Sequence, residues 1–430
     1  MPNPVTIALG RLVQAAAKSR GGGTALPGLV VEKLEPDFAV RVLEELPRGV
    51  VLVSGTNGKT TTVKVLTELL EAAGLRVFTN NTGSNFMRGV ISSLLQKVSW
   101  GGHLDADIAV LELDEAHAVN FVTSIKPRYS LLLNVMRDQL DRFGEIDHTA
   151  SLLAAVARNT IEVVVLNRED LLLAQIPEKE KLLAEVRWFG VGVKDDARAG
   201  NAARNQSGTE DGFQSQRLAQ VAIPSPTLLV DYSDNTAVIE VDGVEHKVKL
   251  TLKGRYNAYN ATAALALARA IAPETPVEVL TEALTKVRSA FGRGESINVQ
   301  GVALEIILVK NPDGFGQALQ SFKSEGCITM ITQNDEYGDG RDVGWLFDVD
   351  FSSLRQSGVF LVSGKRAYDV ALRLEYEEVP MQAVEMDLST ALEAFLQEGP
   401  EKPHRIYCSY STMITLRKLL ATKTEMEQVI

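Results

Sequence analysis

The sequence predicts an α/β protein in which two successive domains are each built on a mostly parallel sheet. Between residues 50 and 170, short apolar runs alternate with helical stretches, and a second alternation begins near Val302. Strands of a parallel sheet are covered on both faces, so they are short, continuous apolar runs. At 430 residues, the chain also exceeds one ordinary hydrophobic core. We therefore expect one domain over residues 1–299 and another over residues 300–430.

Four short apolar runs predict the parallel strands of the first domain. Each is bounded by polar residues or glycine: Val50–Val53, Ile108–Leu113, Tyr129–Leu133 and Val163–Leu166. Clusters of polar residues follow these strands. Because ligands of open α/β sheets bind at the carboxyl ends of the strands, we expect the functional residues of this domain to lie there.

Residues 191–252 interrupt this alternation with two other kinds of segment. Residues 194–216 are rich in small and polar residues and predict a long loop. Three segments of alternating apolar and polar residues, separated by turn residues, then predict a small antiparallel subdomain: Thr227–Tyr232, Thr236–Val241 and His246–Leu252.

The second domain repeats the alternation of strands and helices. Expected helices over Tyr256–Ile271 and around Val277–Ser289 precede it. The apolar runs beyond them predict five strands: Ala303–Val309, Cys327–Thr332, Val359–Val362, Ala383–Glu385 and Arg405–Cys408. The boundary of this separate α/β domain is expected near residues 296–301.

The composition argues against several classes of protein. A formal net charge of −11 does not suit a general nucleic-acid binder, because neutralising phosphates requires a basic surface. Cys327 and Cys408 form no metal-binding pattern and no disulfide framework, which fits a reducing cytoplasm. No apolar run approaches the roughly 20 residues that span a bilayer. No signal peptide is evident, and residues 7–17 predict a short amphipathic helix instead.

The segment Ser54–Thr62, Ser-Gly-Thr-Asn-Gly-Lys-Thr-Thr-Thr, joins the first strand to an expected helix. The backbone N–H groups of such a loop favour a bound phosphate. Lys59 adds a positive charge, and Thr60 or Thr61 can place a hydroxyl on Mg²⁺. A glycine turn with a chance lysine is the alternative, but the strand and helix on either side favour a nucleoside triphosphate. The loop is shorter than the general P-loop, because Val53 stands where that motif has its first glycine.

Carboxylates follow the next predicted strand. Glu112, Asp114 and Glu115 lie just beyond its apolar residues, where a carboxylate can hold Mg²⁺ directly or through water. A solvated acidic turn is the alternative. We favour metal binding for Glu112, and less so for the other two residues.

Two motifs further along the chain are candidates for contacts with the nucleotide. Asn257 and Asn260 lie at the start of the Ala-rich helix, where an amide can contact adenine or cap the helix. Arg293 lies between two glycines, as a flexible cation suited to a polyphosphate.

Residues 339–351 form the most concentrated acidic and aromatic run of the chain. A turn followed by an amphipathic strand is one interpretation. Aromatic residues in an exposed run are also typical of a surface that binds a partner protein.

With these motifs, the chain resembles the MurT family, whose members are ATP-dependent subunits of lipid II isoglutaminyl synthases. The shared motifs are Gly21–Gly28, Ser54–Thr62, Asn81–Asn85, Arg137–Arg142, Tyr256–Asn257, Phe291–Glu295, Val309–Pro312, Asp339–Phe351 and Ser363–Asp369. They cover nearly the whole chain, and the last three are more specific to this family than to Mur ligases in general. The resemblance implies a Mur ligase-type P-loop ATPase middle domain followed by a MurT-type α/β C-terminal domain.

The resemblance also implies an amidotransferase that uses ATP and Mg²⁺. ATP would phosphorylate the α-carboxyl of D-isoglutamate in the lipid II stem peptide, and ammonia would convert the acyl phosphate to D-isoglutamine. Ammonia is mostly ammonium at neutral pH, and this chain has no evident glutaminase. A separate glutaminase subunit, GatD in this family, is therefore the expected partner. We expect the complex to act at the inner face of the cell membrane, with membrane contact only through the substrate.

The roles of individual residues follow from the positions that match the motifs of the family. The expected ATP-binding residues are Gly55, Thr56, Asn57, Gly58, Lys59, Thr60, Thr61, Asn257 and Arg293. Of these, Lys59 is also expected to be catalytic and Thr60 to bind Mg²⁺. Glu112 matches the carboxylate of a second Mg²⁺.

An aspartate of the C-terminal domain completes the Cys–His pair of the glutaminase in this family. Asp348 is our candidate for that residue, with Asp350 and Asp342 as alternatives. Such an aspartate would orient the imidazole of the partner, as in other catalytic triads.

Three departures from related sequences affect these expectations. Residues 190–226 lack the four cysteines that many relatives use as a zinc ribbon, so we predict no structural zinc. Gln139 stands where Mur ligases usually have histidine, and an amide is a poorer ligand of Mg²⁺. Lys310–Pro312 replaces the acidic Mur motif that positions an incoming amino acid, which fits ammonia as the nucleophile.

Two other functions compete with the amidotransferase. A ligase of the Mur or folylpolyglutamate type would add an amino acid and would need no glutaminase. A nucleotide-dependent scaffold would release no ADP tied to amide formation. The polar sheet edge and Arg293 argue against the scaffold.

Overall fold

The structure, a computed structural model, describes residues 2–19, 25–80, 86–136, 146–192, 223–288, 293–336 and 338–424. The predicted loop at 194–216 lies outside these ranges, as do the motif residues 81–85 and 137–142 and parts of the motifs 21–28 and 291–295. The chain forms two compact units. The first comprises Met1–Val135, Ile146–Thr251 and Asn257–Val287, and the second comprises Met136–Glu145, Leu252–Tyr256 and Arg288–Ile430.

The first unit is built on a sheet of nine described strands. They are β1 Val50–Ser54, β2 Val77–Thr79, β3 Ile108–Glu112, β4 Tyr129–Leu132, β5 Val163–Asn167, β6 Glu185–Val191, β7 Thr227–Ser233, β8 Thr236–Val241 and β9 Val244–Lys249. Their order is β2-β3-β1-β4-β5-β6-β7-β8-β9, and neighbouring strands from β2 to β7 are parallel. The four predicted strands are β1, β3, β4 and β5, and each is confirmed to within one residue.

Helices accompany the strands of the first unit throughout. They are α1 Pro4–Ser19, α2 Ala25–Leu34, α3 Phe38–Leu43, α4 Lys59–Ala72, α5 Met87–Lys97, α6 Glu115–Ser124, α7 Ile146–Asn159, α8 Leu171–Ala174, α9 Ile176–Lys179, α10 Arg255–Ile271 and α11 Val277–Leu284. The hydrophobic core joins Leu52 of β1 and Leu111 of β3 to Phe121 of α6. All five residues of β1 are buried, as expected of a central parallel strand.

The predicted antiparallel subdomain is confirmed as the hairpins β7–β8 and β8–β9, which continue the main sheet. Asp234 and Asn235 make the first turn with φ of 48° and 59°, and Asp242 and Gly243 make the second with φ of 51° and 82°. Two left-handed residues in a row give a tight turn whose twist matches that of the strands. Because the second turn is this short, β9 resumes at Val244, two residues before the predicted start.

The second unit has its own sheet of six described strands. They are β10 Arg293–Val299, β11 Val302–Leu308, β12 Ile328–Thr332, β13 Val359–Ser363, β14 Met381–Glu385 and β15 His404–Cys408. Their order is β10-β11-β15-β12-β13-β14, with only the β10–β11 pair of these strands antiparallel. The described residues of this unit form four α-helices: α12 Pro312–Ser321, α13 Ala367–Tyr376, α14 Leu388–Gln397 and α15 Tyr410–Ala421. The strand β10 was not predicted, because it is a polar strand at the sheet edge.

The core of the second unit is partly aromatic and contains an ion pair. Phe315 packs edge-on against Phe351, with ring centroids 5.0 Å apart, and lies 5.2 Å from Tyr407. Beside it, Arg405 of β15 pairs with Glu305 of β11 at 2.7 Å. Burial raises the pKa of Tyr407 to about 12, so its hydroxyl stays protonated.

None of the helices in the described part of the chain is both long enough and apolar enough to cross a lipid bilayer.

Candidate active site

The glycine loop lies between β1 and α4 of the first unit, as the sequence predicts. Gly55 and Gly58 have φ of 132° and 89°, values that a residue with a side chain rarely adopts. A Cβ on Gly58 would also lie 2.5 Å from Oδ1 of Asn260. Glycine is therefore required at this position both for the turn and for the close approach of α10.

A pair of amides fixes the loop to the neighbouring strand. Asn57 N donates to Oδ1 of Asn134 at 2.8 Å, and Nδ2 of Asn134 donates to Asn57 O at 3.0 Å. In addition, Thr56 N donates to the carbonyl of Asn134 at 3.1 Å. Asn134 follows β4, which is the parallel neighbour of β1. The sequence marked the region of Asn134 as polar, but it did not identify this role.

Lys59 lies beneath the loop, with only 5% of its surface exposed. Its Nζ donates to the carbonyls of Gly55 at 2.6 Å and Thr56 at 3.3 Å. The same atom lies 3.2 Å from Oδ1 of Asp114 and 3.8 Å from Oε2 of Glu115. A buried ammonium requires such partners, and here they hold a positive charge at a fixed point of the loop. Asp114 and Glu115, which the sequence offered as further metal ligands beside Glu112, thus contact Lys59 instead.

Glu112 lies at the end of β3 and contacts the first turn of α4. Thr60 Oγ1 donates to Oε1 of Glu112 at 3.0 Å. Asn80 holds the backbone of Glu112 through two hydrogen bonds of 2.9 Å, one to each of its peptide groups. A hydroxyl and a carboxylate side by side are the oxygen donors that Mg²⁺ prefers, so these residues fit the ion that the fold implies. Thr61 is buried, and it is Thr60 that contacts Glu112.

Two further side chains, Asp170 and Asn167, hold the same edge of the sheet. Asn167 belongs to a polar cluster that the sequence placed at the end of its strand, whereas Asp170 was not identified. Asp170 accepts from Val135 N at 2.6 Å, and also caps α8. Burial raises the pKa of Asp170, although its backbone donors oppose that shift. Asn167 accepts from the hydroxyl of Tyr259 at 2.5 Å, which connects β5 to α10.

The structure places the nucleotide candidates on different units. Asn257 and Asn260 are both buried within α10, which begins at Arg255, so neither occupies the capping position before the helix. Asn260 contacts the glycine loop, whereas Arg293 is the first residue of β10 in the second unit. Among the predicted nucleotide contacts, Asn257 and the residues of the glycine loop therefore belong to the first unit, and Arg293 belongs to the second.

The acidic and aromatic run 339–351 contains a 3₁₀ helix over Gly344–Asp348 rather than a strand. Asp342 accepts from Gly344 N at 2.7 Å, and Asp350 accepts from Ser352 N at 2.9 Å. Hydrogen bonding by Ser352 lowers the pKa of Asp350. Both aspartates thus stabilise local turns.

Asp348, the third aspartate, is exposed. In the described part of the chain, its carboxylate forms no hydrogen bond or ion pair. The neighbouring Phe347 is half exposed and packs edge-on against Tyr376 of α13, with ring centroids 6.1 Å apart.

Comparisons with known proteins agree with this arrangement of two units. Residues 53–268 match the model of the Mur ligase middle domain, and residues 308–413 match the model of the MurT ligase C-terminal domain. The chain belongs to the MurT branch of the Mur ligase family. As a member of this family, it is an ATP-dependent ligase with an α/β fold, which confirms the resemblance drawn from the motifs.

Two curated MurT proteins are similar over most of their length. The lipid II isoglutaminyl synthase (glutamine-hydrolyzing) subunit MurT of Streptococcus pneumoniae is 28% identical over 94% of this chain and 93% of its own. The subunit of the same name in Staphylococcus aureus strain COL is 29% identical over 90% of each chain.

Solved structures of other Mur ligases share the fold. MurF from Acinetobacter baumannii has a TM-score of 0.67 at 18% identity, over 92% of this chain and 80% of that protein. MurF from Thermotoga maritima, solved with ADP, has a TM-score of 0.66 at 17% identity, over 92% and 84%. At these identities, the likeness establishes the fold alone.

Proposed function

We propose that this chain is the ATP-using subunit of a lipid II isoglutaminyl synthase. The subunit activates the α-carboxyl of D-isoglutamate in the stem peptide, and ammonia converts that group to the amide of D-isoglutamine. One observation carries the proposal: a P-loop unit with Lys59 buried beneath its loop is joined to a segment that matches the MurT C-terminal model. The similarity to a curated MurT subunit over 94% of the chain supports it.

The chemistry requires an activated carboxyl, because a carboxylate is a poor electrophile. An oxygen of the carboxylate attacks the γ-phosphorus of ATP, and ADP leaves. The nitrogen of ammonia then attacks the carbonyl carbon, the bond from carbon to the phosphate oxygen breaks, and phosphate and a proton are released. The first step concentrates negative charge at the transferred phosphoryl group, which fixed donors and cations stabilise.

The residues of the first unit suit that task. Lys59 holds its ammonium against the carbonyls of Gly55 and Thr56, so a phosphate bound by the loop N–H groups would meet a preplaced positive charge. Thr60 and Glu112 are the residues that would hold Mg²⁺, which offsets the charge of the phosphates when bound. Asn134 keeps the loop in position through its bonds to Asn57.

A glutaminase partner would supply ammonia, and Asp348 would complete its catalytic site. The separate positions of the three aspartates support this choice, because Asp342 and Asp350 are already used in turns. The carboxylate of Asp348 is exposed instead, where a histidine of another protein can reach it.

The surface around Asp348 suits a partner protein. Tyr368, Leu372 and Tyr376 lie four residues apart on one face of α13 and are about half exposed or more, and Phe347 adds to them. Buried Arg373 donates to Val349 O at 2.7 Å, which ties α13 to the segment that carries Asp348. Exposed aromatic residues on a fixed support are typical of the centre of an interface. We assign this aromatic patch to the glutaminase subunit.

The test is amidation of a lipid II-type acceptor by the purified chain, with and without the glutaminase subunit. The reactions contain ATP and Mg²⁺ with either ammonium or glutamine, and the acceptor is weighed by mass spectrometry. Exchange of OH for NH₂ lowers the mass by about one dalton per stem. We expect this loss from ammonium with the chain alone, and from glutamine only when the partner is present.

Two results would overturn the proposal. An acceptor that gains the mass of an amino acid would identify a ligase of the Mur or folylpolyglutamate type. An unchanged acceptor, in reactions where the chain hydrolyses ATP, would exclude the amidation itself. A Lys59→Ala variant is the control that ties any product to this active site.

A further inference from the structure

The first helix exposes an apolar face to solvent. Val5, Leu9 and Leu12 of α1 are 63%, 43% and 67% exposed. Their spacing of four and three residues places them on one face, which the exposed Ala15 and Ala16 extend. A helix on the surface of a globular protein normally turns such a face to the core and its polar face to water.

The opposite face of α1 is packed too closely for the helix to turn over. Ile7 is fully buried. A Cβ on Gly10 would lie 2.7 Å from Val31 and 2.9 Å from Leu95, so the backbone of α1 approaches α2 and α5 closely at this point. The outward direction of the apolar face is therefore a property of the packed unit.

A tryptophan lies beside the same helix. Trp100 is exposed, and the guanidinium carbon of Arg11 lies 4.5 Å from the centre of its ring. Arg11 also donates to the carbonyls of Leu95 at 3.0 Å and Val98 at 2.5 Å, which fixes α1 to the end of α5. We call Val5, Leu9 and Leu12 the apolar stripe, and Trp100 lies beside the same helix at Arg11. Tryptophan and arginine beside aliphatic residues are typical of surfaces that enter a lipid headgroup layer.

The charge around the stripe differs in sign from that of the whole chain. Residues 1–31 and 86–104 contain no Asp or Glu, although the chain has a net charge of −11. Of the basic residues in these ranges whose side chains the structure describes, Arg88 pairs with Glu32 at 2.7 Å, which leaves Arg11 and Lys97. Lys97 is exposed three positions before Trp100. The nearby carboxylates of Glu32 and Glu35 are each paired with an arginine, Arg88 and Arg41. Arg11 and Lys97 therefore give this side of the unit a positive charge that complements an anionic lipid surface.

We propose that the apolar stripe binds the surface of an anionic lipid bilayer. The choice of a bilayer as the occupant rests in part on the proposed function, because an acceptor that carries a lipid lies at a membrane. This contact would be made by the protein itself, whereas the sequence led us to expect membrane contact only through the substrate. Its effect would be to hold the active site of the first unit near the acceptor.

The test measures binding of the full-length chain to vesicles by flotation, without acceptor or ATP. One set of vesicles contains phosphatidylcholine with phosphatidylglycerol, and the other contains phosphatidylcholine alone. The variant Leu9→Gln/Leu12→Gln removes apolar surface from the stripe. Leu183→Gln is the matched control, because Leu183 is 74% exposed elsewhere on the first unit. We expect the stripe variant to bind anionic vesicles at least about tenfold more weakly than the wild type, and the control to bind normally.

The inference would be overturned if the wild type did not bind anionic vesicles, or if the stripe variant bound them equally well. It would also be overturned if the wild type were a dimer in light scattering and the stripe variant a monomer. The last result would assign the stripe to a second copy of the chain. Thermal unfolding of both variants at the wild-type temperature would establish that each is folded.

A separate assay distinguishes this inference from the proposed function. A water-soluble stem peptide without the lipid should be amidated equally by the wild type and the stripe variant. If neither amidates any acceptor but vesicle binding still depends on the stripe, the proposed function fails and the membrane contact stands. If both proteins amidate the soluble peptide but bind vesicles equally well, the membrane contact is excluded and the proposed function stands.

Discussion

Lys59 in the first unit and Asp348 in the second are charged residues with opposite surroundings. Lys59 is almost fully buried and contacts two carbonyls and two carboxylates of its own chain. Asp348 is exposed, and in the described part of the chain its carboxylate contacts no donor. The contacts of the glycine loop are thus made within one chain, whereas the carboxylate of Asp348 is exposed to a group from another molecule.

Replacing the buried Lys59 should slow the reaction more than any other substitution. Lys59→Ala should lower the rate of amidation with either nitrogen source by about a hundred- to a thousandfold, because it removes the fixed charge at the transferred phosphoryl. The rate is measured as ADP release coupled to amide formation. Lys64→Ala in the same helix is the control and should keep the normal rate. A Lys59 variant with nearly full activity would contradict the site.

Replacing Asp348 should affect the reaction with only one of the two nitrogen sources. Asp348→Asn should lower the glutamine-dependent rate by about a hundredfold and leave the ammonium-dependent rate unchanged, because it affects only the partner's imidazole. Asp342→Asn and Asp350→Asn serve as controls and should keep both rates. Loss of the ammonium-dependent rate in Asp348→Asn would contradict this assignment, since the residue would then act in the synthetase reaction itself.

A smaller effect is expected at the magnesium candidate. Glu112→Gln should raise the Mg²⁺ concentration needed for half-maximal rate by about tenfold, because a neutral amide is a weaker ligand than a carboxylate. The measurement is a titration of Mg²⁺ at saturating ATP. Glu68→Gln on the exposed side of α4 is the matched control. An unchanged Mg²⁺ requirement would assign Glu112 to loop structure alone.

The smallest effect concerns the stability of the first unit. Arg76 binds Asp107 through its backbone N–H and its guanidinium, and these hydrogen bonds lower the pKa of Asp107 to about 2. A carboxyl with a depressed pKa stabilises the fold above its unfolded pKa and loses that contribution as the pH falls toward its folded pKa. Asp107→Asn should therefore lower the free energy of unfolding by at most about 1 kcal/mol at neutral pH, since the pair is partly exposed.

Urea unfolding at several pH values measures this cost. The difference between wild type and Asp107→Asn should shrink as the pH falls from 3.8, the ordinary pKa, toward about 2. It should also shrink at high salt. A difference that grows in acid would mean that the carboxylate is not the stabilising group.

The sequence predicted the strands and the loop well, because short apolar runs and a glycine motif are local signals. It could not assign Asn134, which lies 77 positions from Asn57 and meets it only because β4 pairs with β1. For the same reason, spacing alone could not tell whether Asp114 would face a metal or Lys59. These contacts depend on which strands are neighbours, and that order is fixed by the whole sheet.

The first helix illustrates a different limit. Its periodicity predicted an amphipathic helix over residues 7–17, but periodicity does not say which face the protein covers. Packing decided this point, because the small Gly10 lets α1 approach Val31 and Leu95 closely. As a result, the apolar side chains of Leu9 and Leu12 are exposed to solvent.

The two outer strands of the first sheet also limit what can be added to it. An open sheet can recruit a strand from another molecule at either edge, and this is a route to aggregation. Here β2 offers only three residues, Val77–Thr79, whereas β9 carries Glu245, Lys247 and Lys249 along its length. A short edge strand and a charged edge strand both disfavour pairing with a strand from another molecule. The nine-stranded sheet is therefore protected from extension at both edges.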